Sequence, residues 1–180
     1  MLAWIFWHTR FEDVSEDEYN RNLRAFHARI ASAAPEGFLG SRTLAYDTLP
    51  WLASATEVYE DWYFVRDSSA LDHLDEAALA AFTHDAHERI ARLAMNSVAG
   101  LYRLLAGSPL PHPSHCSWIS KPRGQSYETF IAGIEDAGAI WSRKMVLGPT
   151  PEFCIESDHK PRLPVPSMTY SIDSTTSPTK

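Results

Sequence analysis

Cysteine is scarce in this 180-residue chain, and its two copies, Cys116 and Cys154, form neither a C-x-x-C pair nor any zinc-ligand spacing. Zinc ribbons and disulfide scaffolds are thereby set aside, and both thiols are expected as small buried hydrophobes in a reducing compartment. Long apolar runs are also missing. None approaches the roughly 20 residues that span a bilayer, and Met1-Leu2-Ala3-Trp4-Ile5-Phe6-Trp7 has neither the basic lead-in nor the small-residue cleavage site of a signal peptide. A cytoplasmic protein with no membrane partner is expected. Positive charge is in deficit, with a formal net charge of −7 and basic residues scattered rather than striped, so nucleic acid is not an expected partner. No G-x-S-x-G elbow, phosphate-cradling glycine loop or dinucleotide fingerprint occurs. Redox chemistry, if any, then rests on the substrate, on oxygen or on haem.

What the chain does have is apolar material: 44% hydrophobic and 12% aromatic residues, enough to bury the core of one domain or of two small ones. Leu2 to Arg10, rich in aromatic and β-branched residues, predicts a strand. Ser15-Glu16-Asp17-Glu18 is a capping box, with Val14 and Tyr19 placed for a hydrophobic staple. Tyr19, Leu23, Phe26 and Ile30 then recur at helical spacing until Pro35 and Gly37 stop the helix. Phe38 to Tyr46 and Val58 to Arg66 predict two more strands around a loop holding Pro50. Helices are expected over Ser68 to Ala80 and from about His84 to Ala106.

After the Pro-rich linker 108–114 the same order recurs in shorter form. A strand is expected over His115 to Lys121, a helix over Gln125 to Glu135, and strands over Ala139 to Leu147 and Glu152 to Ser157. The recurrence is either a duplication or chance. The expected fold class is α+β, with two unequal βαββ halves, 1–107 and 115–158, and a Pro/Ser/Thr-rich C-terminal arm, 159–180, either extended or partly disordered with its final ten residues mobile. The short second half is expected to be structural, and a monomer or homodimer is expected.

A repeated β-α-β-β unit with aromatic strands and two helices after the third strand resembles the dimeric α/β-barrel superfamily of ferredoxin-like domains, with two halves here forming an intrachain barrel. The segment Glu60-Asp61-Trp62-Tyr63-Phe64-Val65-Arg66-Asp67-Ser68-Ser69-Ala70-Leu71-Asp72 is similar to that superfamily's third strand entering its next helix. The resemblance implies activities as different as those of cofactor-free antibiotic-biosynthesis monooxygenases, haem-degrading monooxygenases, chlorite dismutase-like haem proteins, muconolactone-isomerase-type enzymes and polyketide cyclases, so fold alone selects no reaction. The haem-degrading branch implies an Asn on the first strand, a Trp on the third and a His on the following helix. Trp62 matches, His84 or His87 supplies the histidine, and the first strand has no Asn.

The candidate catalytic residues are His8, Asp61, His84 and His87. Alternation puts His8 on the face of Trp4 and Phe6, where it either enters an aromatic-lined cavity or meets solvent at the strand end. His84 and His87 lie one turn apart on a stripe continued by Ile90 and Leu93, and are either half-buried structural groups or ligands. No third ligand is marked by spacing, so no metal is expected. Asp61 shares a strand face with Tyr59 and Tyr63, while Glu60, Trp62 and Phe64 take the other; one of the two acids points inward. An inward carboxylate is a candidate general base, and a salt bridge to Arg42 or Arg66 is the structural alternative. Trp4, Phe6, Trp62, Tyr63 and Tyr59 are either core or the walls of a pocket for a small hydrophobic or aromatic molecule.

The expectation is a cofactor-independent enzyme of an aromatic or polyketide-like substrate, abstracting a proton so that the anion is oxygenated, cyclised or isomerised. The alternatives are a non-catalytic hydrophobic-ligand-binding or interaction protein, or a haem protein.

Overall fold

The computed structural model describes residues 1–53, 56–144, 148–165, 167–172 and 174–176. The chain is α+β, its paired strands antiparallel, and it divides into two compact units, Met1–Ala99 with Asp173–Lys180, and Gly100–Ile172. No described helix is long and apolar enough to cross a membrane.

The first unit opens with β1 (Leu2–Arg10) and α1 (Glu16–Ala33). Ser15 caps α1 as its sequence requires, its Oγ accepting from the Glu18 N–H, while Glu16, Asp17 and Glu18 meet the positive end of the helix dipole. Ala34 leaves the helix in the left-handed region, φ 44°, its N–H donating to the Ile30 carbonyl, and Pro35 prevents continuation. Strands β2 (Phe38–Tyr46) and β3 (Val58–Val65) follow, and β3 is central between β1 and β2. The helices α2 (Ser69–Leu79) and α3 (Ala81–Leu93) complete the layer that α1 begins, with α1 packed on both.

The helix expected to run on to Ala106 ends instead at Leu93. Ala94 turns extended, Asn96 takes a left-handed φ of 48°, and Ala94–Gly107 is a strand, β4. Leu101 and Leu104 mimic helical spacing, but Gly100, Tyr102 and Leu104 also alternate, and pairing from Leu101 to Gly107 with β6 satisfies the backbone.

In the second unit β5 (His115–Ile119), α4 (Tyr127–Ala132), β6 (Ala139–Lys144) and β7 (Phe153–Ser157) follow β4. The expected extension of β6 over 145–147 lies outside the described residues. Here β5 pairs with β7 and β7 with β6, the same pattern as β1 with β3 and β3 with β2. Phe130, Phe153, Ile119, Ile140 and Ile155 form this unit's core. The arm after 158 carries two strands, β8 (Met168–Ser171) on β5 and β9 (Ser174–Thr176) on β2, and part of the stretch expected to be mobile lies outside the described residues.

Candidate functional site

Strand alternation sorts the first unit's residues onto two faces. On one, Trp4, Phe6 and His8 of β1 lie across from Tyr63, Asp61 and Tyr59 of β3, and Thr43 and Ser41 of β2 lie across from Asp61 and Tyr63. Over this face α1 lays Tyr19, Leu23, Phe26 and Ile30, and α3 lays His87 and Ile90. Between them is a cavity of about 610 Å³. Its walls are mostly apolar; His8, Asp61, His87 and the phenols of Tyr19 and Tyr63 are ionisable groups lining it, and Asp72 and Asp75 of α2 line it with exposed side chains.

Asp61, 2% exposed, is the centre of a polar cluster. Its Oδ2 lies 3.0 Å from His8 Nε2, and its Oδ1 lies 3.2 Å from His27 Nε2. Thr43 Oγ1 donates to Oδ1 at 2.6 Å, and the Tyr63 hydroxyl donates weakly to Oδ2 at 3.5 Å. Burial alone would raise the Asp61 pKa, but the charges and N–H bonds of His27 and His8 outweigh it and hold the carboxyl well below the usual range. An ionised carboxylate only accepts, so both imidazoles present Nε2–H to it. Their Nδ1 atoms are engaged as well, His8 with the Tyr19 hydroxyl at 2.5 Å and His27 with Ser41 Oγ at 2.8 Å. Rings brace the pair: Tyr59 stacks on His8 with centroids 5.7 Å apart, and Tyr63 on His27 at 5.0 Å. Burial raises all three phenols, Tyr59 to about 12 and Tyr19 and Tyr63 well above the ordinary phenol range, so each rests protonated.

Of the residues singled out from the sequence, this arrangement brings together His8, Asp61, Trp4, Phe6, Tyr63 and His87 around the cavity. Trp4 is 38% exposed, whereas His8 is 1% exposed and so does not meet solvent. Tyr59 is buried against His8 and is not among the cavity-lining residues. His84, expected to turn toward the sheet with His87, is exposed, because the buried stripe of α3 runs Thr83, Ala86, Ile90 and passes His84 by. Trp62 lies on the opposite face of β3, where its Nε1 donates to Glu60 at 2.7 Å and Arg42 stacks over its ring. His27, Thr43 and Tyr19 were not marked as site residues. His27 sits four residues after Leu23 and three before Ile30, so the helical stripe itself carried the signal.

No protein-family model matches the sequence, and no curated protein is similar to it at a significant level. Solved structures do match. A crystal structure described as "Putative Chlorite dismutase" aligns over 96% of this chain and 94% of that one, with a TM-score of 0.50 and 12% identity. One described as "putative monooxygenase from Lactobacillus acidophilus" aligns over 98% and 91%, with a TM-score of 0.49 and 11% identity. At such identity the likeness is one of fold, and it is to ferredoxin-like α+β proteins.

Among the described residues no group of three or more His, Cys, Asp and Glu side chains is placed to hold a metal. The cluster instead has the parts of an acid–base device: an imidazole oriented and polarised by a buried carboxylate, at the wall of a low-dielectric cavity.

Proposed function

We propose that this chain is a small-molecule enzyme that abstracts a proton from an aromatic or polyketide-like substrate without a prosthetic group, leaving an enolate or phenolate for oxygenation, cyclisation or isomerisation. The observation that carries this reading is the Asp61–His8 pair, 3.0 Å apart and buried, in the wall of an apolar cavity of about 610 Å³. In its neutral form His8 takes the proton, and Asp61 stabilises the imidazolium that forms, a division of labour that needs no titration of Asp61 itself. Trp4, Phe6 and Phe26 supply ring faces for a flat substrate. His87 lines the same cavity and its Nδ1 has no hydrogen-bond partner among the described residues, so it is the group to bond the substrate's carbonyl oxygen as negative charge develops there.

A haem-degrading site fits these residues poorly. Its tryptophan, Trp62, is turned to Glu60 on the far face of β3, and β1 offers no Asn. We also propose that the two βαββ units are unequal halves of one dimeric α/β-barrel type of chain, which the shared strand-pairing pattern supports.

The reading is tested with 2-tetralone in D2O, following loss of its α-proton signals by NMR. Wild-type protein is expected to accelerate exchange over buffer, and Asp61→Asn or His8→Gln to remove most of that acceleration. Binding of 2-tetralone without any acceleration would favour the non-catalytic ligand-binding alternative and overturn the enzyme.

A further inference from the structure

His8 is boxed in at both ring nitrogens, by Asp61 at Nε2 and by the Tyr19 hydroxyl at Nδ1, so neither nitrogen is open to a substrate in the cavity. Tyr19 itself lines that cavity. Because the ionised Asp61 accepts from Nε2–H, neutral His8 has only its Nδ1 lone pair left, and the Tyr19 O–H must be the donor of the short 2.5 Å bond. We propose that Tyr19 is the catalytic residue that meets the substrate, relaying its proton to His8, an inference that rests on the proton-abstraction reading above.

The step balances without any further reactant. The substrate's O–H, or C–H beside a carbonyl, breaks and its proton goes to Tyr19 Oη. Tyr19's own proton passes to His8 Nδ1, and the electron pair stays on the substrate as phenolate or enolate. Positive charge now on the imidazole is held by Asp61 at 3.0 Å. Burial raises the Tyr19 pKa, so the phenol does not stand deprotonated and moves its proton only as the substrate delivers another. The relay also narrows the substrate class. A neutral phenol among the cavity-lining residues suits a neutral acidic hydroxyl or an activated C–H, whereas a substrate entering as a carboxylate or phosphate would meet the ionised Asp61 with the same sign of charge.

Two measurements on the full chain decide the matter. With Tyr19→Phe, 2-naphthol fluorescence first establishes that the cavity still binds a phenol. Exchange of 2-tetralone is then expected to fall about 100-fold or more, the scale of a lost acid–base group. Retained exchange, within about threefold, would mean that His8 acts directly once its Nδ1 is uncovered, and would overturn the relay while leaving the Asp61–His8 base intact. Should Tyr19→Phe fail to bind 2-naphthol, the solvent isotope effect on release of the label from α-deuterated 2-tetralone by wild-type protein decides, because only the Tyr19 O–H carries a solvent proton: a normal effect with a linear inventory in H2O/D2O mixtures supports the relay, and no effect overturns it. If wild-type protein does not accelerate exchange at all, it is the proton-abstraction reading that fails.

Discussion

Glu60 and Asp61 are neighbours on one strand, both fully buried, and their environments drive them in opposite directions. Asp61 faces the helices, where two imidazoles and Thr43 surround it and keep it ionised. Glu60 faces the other way and accepts from the Trp7 and Trp62 indoles, at 2.6 and 2.7 Å, and from the Tyr46 hydroxyl at 3.0 Å. Burial raises the Glu60 pKa to about 7 because those neutral donors, with Arg42 nearby, only partly offset it. Two carboxylates one residue apart thus belong to a polar, chargeable face and to an aromatic face. What separates them is the partner set that strand alternation supplies, rather than depth.

The largest expected effect on this comparison comes from Asp61→Asn. An amide keeps an acceptor oxygen toward one imidazole but presents N–H to the other, so one of His8 and His27 must change tautomer or lose its bond. Exchange of 2-tetralone is expected to fall about 10²- to 10⁴-fold, as for loss of a positioned acid–base partner. A fall of less than about threefold would place the chemistry elsewhere in the cavity.

Much of this face was legible in the sequence. The period-2 pattern of Trp4, Phe6 and His8 and of Tyr59, Asp61 and Tyr63 fixed which side chains share a face, and the Ser15 box fixed where α1 starts. Which of Glu60 and Asp61 pointed to the helices was open, since alternation gives relative faces and not their direction. The cluster itself was hidden for a plainer reason: positions 8, 19, 27, 43 and 61 meet only through tertiary packing. Tyr19 and His27 read as ordinary members of an apolar stripe. Trp62 was misplaced because an aromatic residue signals burial without saying on which side, and β4 was missed because Leu101 and Leu104 keep a helical spacing while Gly100, Tyr102 and Leu104 alternate.

Next in size is the pH dependence of stability, where the two acids pull with opposite signs. Glu60 has a folded pKa above its unfolded one, so its contribution is complete below about pH 4.5 and is lost as pH rises through about 7. The full swing is about 3 kcal/mol, and Glu60→Gln is expected to flatten it in urea titrations at pH 5 and pH 8. Asp61 is depressed, so its contribution is present above the ordinary carboxylate range and is lost only as pH falls below it. Asp61→Asn should therefore flatten the acid limb alone. If either substitution flattened the other's limb, the two faces would be coupled and the contrast between them would fail.

A smaller loss is expected from Thr43→Val, which keeps the shape but removes the 2.6 Å bond to Asp61 Oδ1. Loss of a hydrogen bond to a buried charge costs about 2 kcal/mol, read as a lower urea midpoint at pH 7. An unchanged midpoint would show that His8 and His27 suffice to hold the carboxylate.

The smallest effect on chemistry is expected at Trp62. Replacing it with Phe deletes one indole donor to Glu60 Oε1 and leaves Trp7 and Tyr46 in place, so Glu60 should titrate at still higher pH. Glu60, Arg42 and Phe64, which Trp62 touches on that face, are all absent from the cavity walls. Exchange of 2-tetralone by the folded variant, measured at pH 6, should stay within about twofold of wild type, as for sites without shared partners. A tenfold loss would carry the opposite lesson. It would mean that a change in the aromatic face passes through the β3 backbone to Asp61, and that neighbouring carboxylates on one strand are tuned together rather than each by its own face.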